Sequence, residues 1–154
     1  MGIMVNSAVS GILMNGSTIA ATSAIKTMVN GDIIFTIHGD IEIYNLVSEC
    51  QTANDATAST LQYQAVPTVG TATTISGASA SLANAAAGTT LVLPGDAFAT
   101  APTIYANGPA LAQTARGVYC PDGTIKVIMG VGSTTGTWRH YLLYYPLEPN
   151  AYVV

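Results

Sequence analysis

Two runs near the C-terminal end decide the fold class. The first is T-I-K-V-I-M-G-V at residues 124–131, and the second is T-W-R-H-Y-L-L-Y-Y-P at residues 137–146. Large apolar side chains alternate along the first run, a period of two that is typical of a half-buried β-strand. The linker G-S-T-T-G at residues 132–136 is short and contains two glycines. This pattern predicts that the two runs pair as a β-hairpin.

The second run concentrates the aromatic residues of the chain, since it holds the only tryptophan and three of the eight tyrosines. Alternation assigns its side chains to two faces: Trp138, His140, Leu142 and Tyr144 on one, and Arg139, Tyr141, Leu143 and Tyr145 on the other. Such a strand is either enclosed on both faces, or packed in the core on one face and in contact with another subunit on the other. The pattern leaves open which face is core. The candidate interface residues are therefore Trp138, Tyr141, Tyr144 and Tyr145.

Short alternating runs separated by turn residues continue through the rest of the chain. The turn signals are Asn30-Gly31, Gly39-Asp40 and Pro121-Asp122-Gly123. Further strands are predicted at 33–38, 41–52, 61–66, 71–76 and 89–93. Residues 96–112 form an irregular loop or contain one short strand, and residues 115–120 precede the turn at 121–123. A spacing of about 8–12 residues between turns is typical of sandwiches and barrels. We predict an all-β fold, a single β-sandwich or jelly-roll-like barrel of about eight strands, at residues 23–154.

The N-terminal segment differs from the rest of the chain. Residues 1–22 carry no charged side chain, contain several glycines and show no strong helical or strand period. We predict an extended arm that either packs along its own domain or reaches a neighbouring subunit. Fully extended, such an arm spans up to about 70 Å.

Charged residues are scarce, at 8% of the chain against about 25% in typical globular domains. The net charge is −4, and the four basic residues are scattered, which argues against nucleic-acid binding: Lys26, Arg116, Lys126 and Arg139. No run approaches the roughly 18 apolar residues of a membrane-spanning helix. A neutral surface is poorly soluble as a free monomer. We therefore expect copies of the chain or a partner to cover much of it.

Chemistry-bearing residues form no convincing catalytic set. Cys50 and Cys120 lack metal-ligand spacing and are predicted to be buried free thiols. His38, Asp40 and Glu42 alternate as metal ligands would, but the Gly39-Asp40 turn signal breaks that geometry. His140 has no carboxylate nearby in sequence to orient it, so we interpret it as a packed or interface histidine. The prediction is a protein without enzymatic activity, metal or cofactor. A lectin-like module that stacks sugars on the rings of the second run is an alternative.

Several short segments carry a family resemblance. They are G-D-I-I-F-T-I at 31–37, L-Q-Y-Q-A at 61–65, P-T-V-G at 67–70, P-D-G-T-I at 121–125 and Y-Y-P-L-E-P at 144–149. Together they resemble small structural proteins of tailed bacteriophage virions, over roughly residues 25–150. The resemblance implies a head decoration (cement) protein, a non-enzymatic β-rich domain that binds the lattice of the major capsid protein, often as a trimer. A tail or head–neck component, or a receptor- or glycan-binding module of the virion, is the alternative.

Overall fold

Twelve β-strands make up the regular structure of the residues that the structure describes. The computed structural model describes residues 19–93, 101, 103–105, 117–131 and 133–154, and these ranges contain no helix. The strands are β1 (Ile19–Thr22), β2 (Lys26–Thr27), β3 (Ile33–His38), β4 (Ile41–Cys50), β5 (Leu61–Pro67), β6 (Thr73–Thr74), β7 (Thr90–Leu93), β8 (Thr103–Tyr105), β9 (Val118–Cys120), β10 (Gly123–Met129), β11 (Thr137–Pro146) and β12 (Tyr152–Val153). The all-β prediction is confirmed. The strands outnumber the predicted eight because several edge strands hold only two to four residues.

The strands form two antiparallel sheets that pack together as a β-sandwich. In the seven-stranded sheet the order is β1-β11-β4-β7-β8, with β2 also paired to β11 and β9 to β4. In the five-stranded sheet the order is β12-β3-β10-β5-β6. The described strands do not close into a barrel. The sandwich alternative of the prediction is therefore the one observed.

The predicted hairpin of β10 and β11 is wrong, because the two strands belong to different sheets. β10 lies between β3 and β5, and β11 lies between β4 and the β1–β2 edge. Between Met129, the last residue of β10, and Thr137, the first residue of β11, the chain passes from one sheet to the other, and packed sheets lie roughly 10 Å apart. Two main-chain N–H groups hold this crossing: Thr134 N donates to the main-chain Met28 O (3.0 Å), and Gly136 N donates to the side-chain Asn54 Oδ1 (3.0 Å). Alternation marks a buried face but gives no information about which strand lies alongside.

The last residues of the predicted N-terminal arm are part of the seven-stranded sheet. Ile19–Thr22 pair with residues 141–144 of β11. The ladder is extended by Ser23 N, which donates to His140 O at 2.9 Å. These residues therefore lie along their own domain, while residues 1–18 lie outside the described residues. In the predicted 96–112 loop, β8 is one short strand, and most of that loop also lies outside the described residues.

The core lies between the two sheets, where the alternating apolar positions of both meet. The predicted burial of alternate residues is confirmed along β10 and β11. The largest side chains with almost no exposed surface are Trp138, Tyr63, Phe35, Met28, Ile37, Ile41, Ile43, Leu46, Leu61, Leu82, Leu91 and Ile125. The face of β11 that carries Trp138 is therefore the core face, and the opposite face is the outside of the sandwich.

Candidate functional site

The alternating acid and histidine positions after β3 do not converge. Gly39 turns the chain with φ +76°, which separates His38 at the end of β3 from Glu42 inside β4. His38 stacks on Tyr152 at a ring-centroid distance of 4.6 Å. Within the described ranges, no three His, Cys, Asp or Glu side chains are close enough to hold a metal ion.

Both cysteines are buried and unpaired, as predicted. Cys120 lines a cleft of about 310 Å³ with, among others, Ala65, Ile75 and Tyr119. Burial raises the pKa of the Cys120 thiol to about 11, and burial also raises that of Cys50. A neutral thiol is a weak nucleophile. The cleft therefore contains no activated cysteine.

The four candidate interface residues separate into two pairs. Trp138 and Tyr144 are 0% and 2% exposed and belong to the core. Tyr141 and Tyr145 lie half-buried on the outer face of β11. A surface partner can therefore contact Tyr141 and Tyr145, whereas the other two rings support the sheet from beneath.

Two further tyrosines join this pair on the outside of the seven-stranded sheet. Tyr44 meets Tyr145 edge to face, with ring centroids 5.8 Å apart and an interplanar angle of 84°. Tyr119 lies opposite Glu42, which is itself opposite Tyr145, so these three residues form one row across β9, β4 and β11. Val47 and Leu143 fill the adjacent positions. We call this surface the tyrosine face: Tyr44, Val47, Tyr119, Tyr141, Leu143 and Tyr145.

The tyrosine face combines broad apolar area with a few polar groups, and one of these, Glu42, lies between Tyr119 and Tyr145. The Tyr141 hydroxyl donates to Glu49 Oε2 at 3.1 Å, and the Tyr119 hydroxyl donates to Asp40 Oδ2 at 2.9 Å. The exposed small residues Ala20 and Thr22 of β1 continue the surface past β11. Such a surface shares with protein interfaces a high content of tyrosine.

Sequence reasoning missed Tyr44 and Tyr119 because their faces depend on strand pairing. The β4–β11 register shifts between Leu143 and Tyr144, which puts both Tyr44 and Asn45 outside the core. Tyr119 reaches the face only because β9 pairs with the start of β4. The available signal was weak: Tyr44 lies within a run predicted to be a strand, and Tyr119 lies just before the predicted turn at 121–123.

One group of polar side chains lies inside the core. Ser48 Oγ is 2.5 Å from both the Tyr63 hydroxyl and His140 Nδ1, and all three residues are 0% exposed. A serine bonded to a histidine resembles an activated nucleophile. However, no solvent-accessible surface remains through which a substrate could reach it. The interpretation of His140 as a packed histidine is confirmed.

Among the described residues, no helix is long and apolar enough to cross a membrane. Comparisons with protein-family models, with curated proteins and with solved structures find no match to this chain.

Proposed function

We propose that the protein is a non-enzymatic structural component of a tailed-phage virion, a decoration (cement) protein that binds the assembled head and stabilises it. The observation that carries the proposal is the tyrosine face. Four tyrosines and two aliphatic side chains share one side of a rigid sheet in a chain with 8% charged residues. The resemblance of the sequence segments to virion structural proteins implies that the partner is the lattice of the major capsid protein.

The tyrosine face suits a stable protein contact for two physical reasons. Tyrosine buries a large apolar ring while its hydroxyl forms hydrogen bonds at the rim. Removing water from this side chain therefore costs little free energy. The tyrosines lie on strands of the seven-stranded sheet, so ordering them on binding costs little entropy. A protein that binds only the assembled lattice stabilises that lattice by mass action.

Capsid binding is tested with purified expanded heads that lack this protein. We expect the chain to sediment with the heads and to raise the temperature at which they release DNA. The control is the same assay with unexpanded precursor heads. If the chain stays in the supernatant with both kinds of head, the decoration role is wrong.

Replacing Tyr145 with lysine is expected to disrupt assembly, because it introduces a cation beside Tyr44 in the centre of the tyrosine face. We propose that the isolated protein is a homo-oligomer, with a trimer implied by the resemblance. Light scattering should report a smaller particle for Tyr145→Lys than for the unchanged protein. Tyr152→Lys is the matched control, because Tyr152 is 49% exposed on the other sheet. An unchanged particle mass for Tyr145→Lys would contradict this use of the face.

A receptor- or glycan-binding module of the virion is the second candidate, and the same rings favour it. Exposed tyrosine rings also stack on the apolar faces of sugars. Binding to a glycan array that is lost in Tyr119→Ala, together with labelling of the tail instead of the head, would support this alternative.

A further inference from the structure

A chain of three buried polar side chains joins the two sheets through the middle of the core. Tyr63 belongs to β5 of the five-stranded sheet, whereas Ser48 and His140 belong to neighbouring strands of the seven-stranded sheet. The Ser48 hydroxyl contacts both partners at 2.5 Å, and the ring of Tyr63 meets that of His140 edge to face. His140 Nε2 is buried and has no hydrogen-bond partner.

The number of available hydrogens decides which of the three side chains donates each hydrogen bond. If Tyr63 donates to Ser48 and Ser48 donates to His140 Nδ1, both hydroxyl hydrogens are used and the imidazole is neutral, with its hydrogen on Nε2. If the imidazole is protonated, Nδ1 must donate instead. Ser48 must then turn to donate to Tyr63, whose own hydrogen loses its acceptor. Protonation therefore reverses both bonds and leaves a buried charge together with an unpaired hydroxyl.

The surroundings also favour the neutral ring. Burial lowers the pKa of His140 to about 3, and Lys26 of β2 lowers it further, against a smaller opposite effect of Asp32. Lys26 and Asp32 form an ion pair at 3.5 Å, so their charges partly cancel at the ring. Tyr63 of β5 is the other titratable group packed against His140, and it stays neutral because burial raises its pKa far above its ordinary value.

We propose that the Ser48–His140–Tyr63 chain is an acid-responsive lock between the sheets, which holds the sandwich closed while His140 is neutral and releases it when His140 takes up a proton. The inference rests on the core geometry and is independent of the virion role. Its consequence is a domain that loses stability in mildly acidic solution, at pH values above those at which the carboxylates are protonated.

The linkage between proton binding and folding sets the direction of the stability change and the pH range in which it occurs. A histidine whose pKa falls on folding contributes stability that is fully present above its unfolded pKa of 6.5 and is lost as pH falls toward the folded value. One proton is taken up per unfolding event, so the unfolding equilibrium constant rises about tenfold for each pH unit below 6.5. Folding lowers the pKa values of Asp55 and Asp122. The stability that these carboxylates contribute is therefore lost only as the pH falls below about 3.8, their ordinary pKa. The interval from pH 6.5 to 4.5 therefore isolates the histidine.

The test is urea unfolding of the full chain at several pH values from 8 to 4.5. For the unchanged protein we expect an unfolding constant that is flat above pH 7 and about 100-fold larger at pH 4.5. His140→Asn places an amide oxygen near the position of Nδ1 and cannot gain a proton, so its unfolding constant should stay nearly flat over this interval. His38→Asn is the matched control, since it removes the other histidine, which stacks on Tyr152 outside the core, and it should keep the steep rise.

A second measurement covers the case in which His140→Asn does not fold. Nitrogen NMR of the unchanged protein should show a His140 ring that stays neutral to pH 4.5, with its hydrogen on Nε2. A His140 ring that gains a proton near pH 6.5 in the folded protein would overturn the proposal. An equally steep rise in His140→Asn would overturn it too.

Discussion

Replacing Trp138 with alanine is expected to lower the free energy of unfolding by about 3–5 kcal/mol. The indole is 0% exposed on the core face of β11, so its removal leaves a large cavity between the sheets. Its Nε1 also donates to Asn54 Oδ1 at 3.3 Å, and Asn54 in turn accepts from Gly136 N. The loss therefore combines packing with one bond of a buried polar group.

Urea unfolding followed by far-ultraviolet circular dichroism measures this loss, because the variant has no tryptophan to report by fluorescence. Trp138→Phe is the control, since it keeps most of the apolar volume and should recover more than half of the lost stability. A loss below about 1 kcal/mol in Trp138→Ala would mean that the indole is not a core side chain.

Replacing Gly136 with alanine is expected to cost about 3–4 kcal/mol, from overpacking and a damaged buried hydrogen bond. A Cβ at Gly136 would lie 2.1 Å from Thr52 O and 2.5 Å from Asn54 Oδ1. The first of these is main chain, which cannot rotate away as a flexible side chain can. The crossing between the sheets must therefore shift, and the contact between Gly136 and Asn54 is lost.

Gly88→Ala separates this collision from ordinary backbone strain. Gly88 has φ +85° but no heavy atom within 4 Å of the added Cβ, so its replacement should cost only about 1–2 kcal/mol. Thermal and urea unfolding of both variants give the comparison. Equal losses in Gly136→Ala and Gly88→Ala would show that the crossing adapts without strain.

The alternation in the sequence predicted which side chains share a face of a strand, because this depends only on residues that are close in sequence. The alternation correctly grouped Trp138, His140, Leu142 and Tyr144 on one face of a strand, because burial follows the period of the strand. It left open that this face is the buried one. Strand neighbours were not predictable in the same way. Backbone hydrogen bonds are alike for every residue, so a linker containing Gly136 is compatible both with a hairpin and with the observed crossing.

The residues of the candidate sites divide in the same way, into those that lie on one strand and those that strand pairing brings together. Tyr141 and Tyr145 were correctly grouped on one face because they share one strand, whereas Tyr119 joins that face through pairing with the start of β4. The buried lock was not identified at all, since Ser48 and His140 are 92 residues apart. A serine and a histidine at that separation give no sequence signal, because only the register of β4 and β11 brings them together.

The pairing of β4 with β11 has a consequence for how the chain is made. The seven-stranded sheet joins early residues to late ones: Ser23 contacts the backbone of His140, 117 positions later. On the ribosome, β1 and β4 must wait for β11 before either gains that neighbour, and non-local pairing of this kind slows folding. In the meantime, the apolar face of β4 is open to self-association. Production at low temperature or with a chaperone that holds unfinished strands should therefore raise the soluble yield.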